Sequence, residues 1–318
     1  MAKIPSKVKI DKEKVLDSFL NQSFIENRKS RRWSVIFKSL TFLYLFILLF
    51  IFLSKPADKT SASGDFTALV KLNGMISAET ELNANDAIKS IGKAMKHQGT
   101  KGLILSINSP GGSPVQSSMI NNEIKRQRQM HPDIPIKVVV EDVCASGGYY
   151  IAVAADDIYA NPSSIVGSIG VLMNGFGFDK AIEKLGIERR LLTAGENKGL
   201  LDPFQPIEGE QKVHVQNLLD EVHVQFINVV KEGRGDRLTG DETKIFSGLF
   251  WNGESALKLG LIDGFGTVSS VARDEIGFEK VVDFTTYETF ADRFAKKIGA
   301  GIGHVINTNS FANKFQLN

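Results

Sequence analysis

A serine set among small residues, at the end of an apolar run, is the first feature of this sequence that could do chemistry. Val143–Ala152 reads VCASGGYYIA, in which Ser146 follows a strand-like run and precedes residues typical of a helix. A serine at a helix N-terminus suits attack on a carbonyl, because free backbone N–H groups there can bind the oxyanion that forms. We assign one such donor to Gly147. An N-cap serine followed by closely packing glycines fits the pattern equally well, and these residues alone favour neither interpretation.

A second Gly-rich turn, NSPGGS at Asn108–Ser113, also follows an apolar run and leads into a helical pattern. Its glycines leave backbone N–H groups uncovered, so Gly112 is the candidate for a second donor to an oxyanion. An ordinary strand-to-helix turn would have the same composition. The turn therefore points to chemistry only in combination with Ser146.

A serine nucleophile needs a base, and the five histidines lie in contexts without a recognisable catalytic pattern. Lys198 lies in the Gly-bracketed loop AGENKGLLDPF, and a lysine acts as a base only when it is neutral. Burial in an apolar site can lower the pKa of a lysine enough for this. Leu200, Leu201 and Phe204 could supply such a site once substrate or a neighbouring subunit closed over it. A solvated loop lysine is the competing interpretation.

These residues need a scaffold that holds the two turns together, and the hydrophobic pattern predicts one of alternating strands and helices. Strands are predicted at 66–72, 102–107, 136–140, 157–160, 169–172, 189–193 and 281–284. Helices are predicted at 83–97, 114–130, 145–155, 178–185 and 208–231. Such alternation implies an α/β fold with parallel strands and with ligands at their carboxyl ends, where both Gly-rich turns lie.

The first 65 residues are predicted to form a cytoplasmic basic leader at 1–32, a transmembrane anchor at 33–54 and a polar linker at 55–65. Ser39–Leu53 carries no charge, and with residues 33–38 it approaches the roughly 20 residues that cross a bilayer. The basic cluster Arg28–Arg32 precedes it, so the positive-inside rule leaves the N-terminus in the cytoplasm and sends the rest across. A cleaved secretory signal is the alternative, although the leader is about twice the usual length.

Composition limits the remaining function classes. The chain is 42% hydrophobic and 23% charged, which is typical of a folded globular protein. Net charge is +2, and residues 1–38 hold ten Lys and Arg against four acids, so the folded part lacks a basic excess and nucleic acid is not an expected partner. Cys144, the one cysteine, allows no internal disulfide and is expected to be a small buried residue. No metal-ligand motif occurs, so neither a metal nor a cofactor is expected.

Five segments resemble the core motifs of the signal peptide peptidase A family of bacterial serine peptidases, an S49-type family that uses a Ser–Lys dyad. They are NSPGGS at 108–113, EDVCASGGYYIAVAAD at 141–156, NPSSIVGSIGVL at 161–172, KEGRGDRL at 231–238 and FSGLFWNGESALKLGLIDGFGTV at 246–268. The similarity keeps the family's order and spans about residues 66–275. It implies a serine protease domain over 66–285, with a ClpP/crotonase-like ββα-superhelix that follows one N-terminal transmembrane helix.

The resemblance also implies roles for particular residues. The family's base is a lysine that follows the serine at a similar interval to Lys198, which lies 52 residues after Ser146. Ser168, in VGSIGV, is similar to the family residue that hydrogen-bonds the lysine and holds its orientation. Together with Gly112 and Gly147 as the oxyanion hole, these residues make up the expected catalytic site.

The partners that the resemblance implies are peptides or proteins, above all remnant signal peptides and other membrane-associated or exported polypeptides. It implies a single-domain form that is anchored in the bacterial inner membrane by one span, with the protease domain in the periplasm or outside. It further implies a homo-oligomer in which neighbouring subunits complete each other's sites. Contact with the lipid bilayer is expected only through the N-terminal helix.

Two other functions would use the same scaffold. A crotonase-like acyl-CoA enzyme has the same paired N–H groups, but it needs neither Ser146 nor Lys198 and no membrane anchor. A catalytically inactive, protease-like scaffold is signalled by loss of the serine or the lysine, and both are present. The C-terminal segment 286–318 matches no family motif; Phe290, Phe294, Ile298 and Ile302 are spaced as in an amphipathic helix.

Overall fold

The structure is a computed structural model that describes residues 12–53, 64–207 and 209–286. Leader residues 1–11, most of the predicted linker and all but the first residue of the segment 286–318 lie outside the described residues. The chain divides into two compact units, Met1–Asp58 and Lys59–Asn318. Each unit is described by itself.

The described residues form one long helix, α1, in the first unit and helices and strands that alternate along the second unit. The helices are α1 Lys12–Leu53, α2 Ala84–Lys96, α3 Pro114–Met130, α4 Gly147–Ala152, α5 Asp179–Lys184, α6 Gly209–Arg234, α7 Glu242–Ile245, α8 Gly253–Lys258 and α9 Val268–Ser270. The strands are β1 Phe66–Asn73, β2 Thr100–Ser109, β3 Ile136–Ala145, β4 Asp157–Ala160, β5 Ile165–Gly167, β6 Phe250–Asn252, β7 Gly264–Phe265 and β8 Val281–Asp283. A single turn of π-helix at Val271–Ile276 follows α9.

The first unit contains α1, a helix of 42 residues that rises about 63 Å along its axis. Within it, Arg31–Phe50 has a mean hydropathy of 1.9 and is long and apolar enough to cross a membrane by length and composition. The side chains of residues 31–50 are all exposed. An apolar surface of this extent is uncommon on a protein that faces only water. A signal sequence near an N-terminus meets the same criteria of length and composition.

The second unit is built on one sheet of eight strands among the described residues. Its order is β6-β5-β3-β2-β1-β8, with β4 paired to β3 and to β7. All neighbours are parallel except β5 and β6, which are antiparallel. The mixed α/β architecture and its parallel pairing confirm the prediction from the alternating sequence pattern.

The central strands are buried on both faces, and their side chains alternate between two apolar clusters. On β2, Leu103, Leu105 and Ile107 belong to the main core, which also includes residues of α2, α3 and α4. Ile104, between them, belongs to a smaller cluster on which Val271 of the π-helical turn packs. The period of two explains why these strands are continuously apolar in sequence.

Two predicted strands are absent. Residues 169–172 have no regular structure. They follow a turn at the end of β5, where Gly167 and Ser168 have positive φ angles of 106° and 54°. Residues 189–193 have no regular structure, and Leu192 is 96% exposed. Both segments carry apolar residues, but neither pairs with a strand of the described sheet, so apolar residues alone do not make them strands.

A bulge near the end of β3 brings the two Gly-rich turns together. Ile107 pairs with Val140 and Ser109 pairs with Cys144, so three residues of β3 lie opposite the single residue Asn108. The Asn108 side chain spans this bulge, since its Oδ1 accepts from the N–H of Val143 at 3.3 Å and its Nδ2 donates to a carboxylate oxygen of the bulge. Beyond the bulge, β3 leaves β4 and pairs with β5 instead.

A buried ion pair ties α6 to the loop that supports the helix after Ser146. Arg234 is 2% exposed and donates to both oxygens of Asp263, at 2.7 and 2.9 Å, and to the carbonyl of Gly260 at 2.8 Å. In the same loop, the carbonyl of Leu261 accepts from the hydroxyl of Tyr149, on α4. Burial by itself would raise the pKa of Asp263, but the hydrogen bonds and charge of Arg234, with the N–H of Ile158 and the charge of Arg237, together outweigh it and hold that pKa below its usual range.

Asp263→Asn is expected to lower the free energy of unfolding by about 3–5 kcal/mol, because it leaves the buried guanidinium without a counter-charge. Since the folded pKa lies below the unfolded value of about 3.9, the carboxylate stabilises the fold above that pH and loses its contribution as the pH falls through the folded pKa. Urea unfolding of both proteins between pH 7 and pH 3 tests this. The exposed pair Arg273–Asp274 supplies a control, since Asp274→Asn should cost less than about 1 kcal/mol. An Asp263 variant as stable as this control would contradict the account.

Candidate active site

Ser146 lies between β3 and α4 in a backbone conformation that is rare for residues other than glycine. Its φ is 51° and its ψ is −123°. The residue is held by two backbone hydrogen bonds, one from its N–H to the carbonyl of Gly167 at 2.8 Å and one from the N–H of Tyr150 to its carbonyl at 2.9 Å. Strain of this kind persists only where the surroundings impose it, and it is concentrated at functional sites.

The hydroxyl of Ser146 is not engaged in capping. Although the residue occupies the N-cap position of α4, its side chain makes no capping hydrogen bond, and the residue is half-buried. Asn83, Ser113 and Asp241, by contrast, cap their helices with side-chain oxygens. The geometry therefore favours a free hydroxyl over the N-cap interpretation that the sequence left open.

Glycines bring the two turns into contact beside Ser146. A Cβ atom on Gly111 would lie 2.7 Å from the Cβ of Ser146, and one on Gly112 would lie 2.1 Å from the carbonyl oxygen of Ile76. A Cβ on Gly147 would lie 3.2 Å from the backbone nitrogen of Gly112. Side chains are therefore excluded at all three glycines, and the backbones of Gly112 and Gly147 are immediate neighbours.

Two backbone N–H groups remain unused at this contact. The bridge between Ile76 and the second turn uses the carbonyl of Gly111 and the N–H of Ser113. Among the turn, loop and cap hydrogen bonds of residues 64–207 and 209–286, none involves the N–H of Gly112 or Gly147. Two adjacent free donors next to a free hydroxyl form the arrangement that stabilises a tetrahedral oxyanion.

Ser168 directly follows β5, the strand that pairs with the end of β3, which Ser146 follows. Ala145 of β3 pairs with Gly167 of β5, and each serine is the next residue along its chain. Ser168 also has a positive φ, 54°, and its N–H donates to the carbonyl of Leu249 at 2.7 Å. The structure thus brings Ser146, Ser168 and the two glycines to one edge of the sheet.

Lys198 is placed differently. It is exposed, in a series of turns between α5 and α6, and its backbone N–H donates to the carbonyl of Gly195 at 3.1 Å. No hydrogen bond or ion pair with another described residue engages its ammonium group. Leu201 and Phe204, which were expected to surround it, are 41% and 39% exposed. The single chain therefore brings the two serines close to Gly112 and Gly147 but leaves Lys198 in solvent.

Cys144, two residues before Ser146, is a packing residue. It is fully buried on β3 opposite Ser109, and burial strongly raises the pKa of its thiol. A thiol in this state is a poor nucleophile, since the thiolate is the reactive form. The prediction that Cys144 is a small buried residue is confirmed.

Two residues that the sequence did not indicate contact the turn that carries Ser168. The ring of Trp251 packs where a Cβ on Gly167 would lie, at 2.8 Å. His223, on α6, lies with its Nε2 atom 3.2 Å from the carbonyl oxygen of Ile169. One weak signal for His223 exists, because it is three and seven residues before Phe226 and Val230, which face the core.

Comparison with known proteins identifies the family. Residues 128–276 match the model of peptidase family S49. A putative signal peptide peptidase SppA from Enterococcus faecium is 31% identical over 237 residues, which cover 71% of this chain and 67% of that protein. A protein of Brucella abortus that is named Na(+)/H(+) antiporter NhaA is 46% identical over 214 residues. This match covers 66% of the chain but only 29% of the Brucella protein.

Among solved structures, the 1510-N membrane-bound stomatin-specific protease in complex with a substrate peptide is similar in part. It matches 74% of this chain and 99% of its own length, with 17% sequence identity and a TM-score of 0.45. At such a TM-score the two chains superpose only loosely.

Proposed function

This chain belongs to peptidase family S49, and on that premise we propose that it is a serine endopeptidase in which Ser146 is the nucleophile and Lys198 the general base. The observation that carries the proposal is the strained, uncapped Ser146 beside the free N–H groups of Gly112 and Gly147. The scaffold that we propose for this site is a ClpP/crotonase-like ββα-superhelix over residues 66–285.

The proposed reaction has two stages. The neutral amine of Lys198 takes the proton from Ser146 as Oγ attacks the peptide carbonyl, and the oxyanion accepts hydrogen bonds from Gly112 and Gly147. The C–N bond then breaks as Lys198 returns the proton to the leaving amine, which leaves an acyl ester on Ser146. Water, deprotonated by the same amine, then attacks the ester, and the ammonium returns this proton to Oγ of Ser146 as the acyl C–O bond breaks and the carboxylate product leaves. Ser168 orients the amine through its hydroxyl.

Lys198 can act in this way only in a dry environment, which the single chain does not supply. The segment around it exposes apolar side chains to an unusual degree, including Leu172 at 78%, Phe176 at 80% and Leu192 at 96%. Such surface is characteristic of an interaction site. We therefore propose that the active form is a homo-oligomer in which contact with a neighbouring subunit, together with the substrate, covers this segment and completes each site.

The substrates that we propose are remnant signal peptides and other membrane-associated or exported polypeptides. The Enterococcus relative carries the name of a signal peptide peptidase. An anchor at 33–54 would hold the site close to the membrane, where such substrates accumulate. The proposed location is the bacterial inner membrane, with the leader in the cytoplasm and the protease domain in the periplasm or outside.

The function is tested with the purified full chain in detergent micelles. It should hydrolyse internally quenched peptides patterned on the apolar core of signal sequences and leave acyl-CoA thioesters intact. The reverse result would favour a crotonase-like enzyme. A folded, assembled protein that hydrolyses neither would favour an inactive scaffold.

The anchor gives a separate prediction about topology. A reporter enzyme that is active only after export should be active when it is fused after Leu53 and inactive when it is fused after Arg32, since the basic cluster Arg28–Arg32 stays in the cytoplasm. The N-terminal sequence of the membrane-bound protein should begin at Met1 or Ala2. A mature chain that begins near Gly64 would show instead that the apolar helix is a cleaved signal.

A further inference from the structure

The turn that carries Ser168 is strained, and only a few contacts hold it. Ser168 has a φ of 54°, which is rare for a residue other than glycine. The residue before it, Gly167, is the last of β5, and the residue after it, Ile169, belongs to no helix or strand. One set of contacts comes from β6 and the residue before it, where the carbonyl of Leu249 accepts from the N–H of Ser168 and the ring of Trp251 packs on Gly167. The N–H of Ser146 donates to the carbonyl of Gly167, and a further polar contact comes from a different element, α6.

That contact is made by His223. Its Nε2 atom lies 3.2 Å from the carbonyl oxygen of Ile169, the residue after Ser168, although the two residues are 54 positions apart in sequence. Ile169 is fully buried, and no other hydrogen bond among the described turns and loops reaches its carbonyl. A buried carbonyl without a partner is destabilising, so this hydrogen bond favours the observed conformation of the turn.

The chemistry of the pair assigns the direction of the bond. A carbonyl oxygen only accepts, so Nε2 of His223 must carry the hydrogen and donate it. The ring is half-buried on the face of α6 that also carries Phe226 and Val230, both of which are buried in the core. The helix therefore holds the donor in place by packing, and Nε2, being committed to the carbonyl, is unsuited to act as the base for Ser146.

We propose that His223 is a positioning residue: its hydrogen bond to the carbonyl of Ile169 holds the strained turn that presents the hydroxyl of Ser168 to the base. The inference rests on the proposed peptidase function, because Ser168 is assigned there to orient Lys198. His223 touches neither substrate nor the reacting atoms in this assignment. It acts through the turn, and its removal should disturb the rate of the chemical step more than substrate binding.

The test compares His223→Leu, which removes the donor, with His223→Gln, which keeps an N–H at a similar reach. His214→Leu is the matched control, since His214 is an exposed residue of the same helix. With a quenched peptide and the full chain in detergent, His223→Leu should lower kcat by about 10- to 100-fold, as loss of an orienting hydrogen bond typically does, with KM changed less than about threefold. His223→Gln should recover most of kcat, and His214→Leu should match the unmodified protein.

A double variant separates positioning from general damage. If His223 acts through Ser168, His223→Leu should lower kcat far less in a Ser168→Ala background than alone. Equal losses in both backgrounds would overturn the proposal, as would an unchanged kcat in His223→Leu or a glutamine variant as impaired as the leucine variant.

Hydrogen exchange gives a readout that does not depend on activity. In His223→Leu, amides in the peptide 165–172 should exchange faster than in the unmodified protein, whereas His223→Gln and His214→Leu should leave them protected. Unchanged protection in His223→Leu would overturn the proposal even in an inactive preparation. Faster exchange together with full peptidase activity in Ser146→Ala would instead show that the positioning holds and that the proposed function is wrong.

Discussion

Ser146→Ala is expected to abolish peptide hydrolysis, with kcat/KM falling by at least about 10⁴-fold. The loss is expected because Ser146 adjoins Gly112 and Gly147, whose N–H groups are free, whereas Ser168 follows the neighbouring strand β5. Ser163→Ala is the matched control, since Ser163 is exposed and its hydroxyl makes no hydrogen bond with any of the described residues. Activity is measured on quenched peptides with equal amounts of assembled protein.

The strained backbone makes Ser146→Gly a sharper variant. It should be as inactive as the alanine variant, yet more stable than the unmodified protein by about 1 kcal/mol, because relief of a φ of 51° outweighs the entropy that glycine loses on folding. Thermal unfolding measures the difference. Residual activity above about 10% in either variant would exclude Ser146 as an indispensable nucleophile. A destabilised glycine variant would show that the conformation carries no strain.

Lys198→Ala is expected to reduce kcat/KM by at least about 10³-fold while leaving stability unchanged. Lys198 is exposed and its ammonium engages no described residue, so its removal costs the fold nothing. Lys198→Arg should be equally inactive, because a guanidinium stays charged and cannot accept the serine proton. Lys184→Ala is the control, since Lys184 is also an exposed lysine but lies at the end of α5.

The lysine variants also test the assembly. Mixing Lys198→Ala with Ser146→Ala subunits should restore part of the activity if neighbouring subunits complete each other's sites, because some sites then receive an intact serine and an intact lysine. Full activity of Lys198→Ala alone would remove the dyad from the account. Two inactive variants that never complement would place both residues in one subunit's site.

The sequence predicted those parts of the fold in which side-chain periodicity and backbone pairing coincide. The helix predicted at 114–130 has those limits, and the first two strands of the sheet differ from their predicted limits by only a few residues. Residues 189–193 were also predicted as a strand from their apolar pair Leu191 and Leu192, but no strand pairs with them, and Leu192 remains exposed. The periodicity of apolar side chains indicates which residues are buried, whereas a strand also needs a neighbouring strand with which to pair.

The candidate site divides in the same way. The sequence singled out Gly112 and Gly147 because glycines in two strand-to-helix turns leave backbone N–H groups uncovered, and the structure places their backbones next to each other. The contact between His223 and Ile169 could not be predicted from the sequence, since it joins elements that are distant in sequence and its acceptor is a backbone carbonyl. The apolar surroundings predicted for Lys198 are not found in the single chain, where this lysine is exposed.

Labelling with a fluorophosphonate probe, which reacts with activated serine hydroxyls, tests the central claim most directly. The account predicts one adduct per active site, located by mass spectrometry on Ser146, absent from Ser146→Ala and strongly slowed in Lys198→Ala. An adduct on another residue, or labelling that persists unchanged in Ser146→Ala, would contradict it.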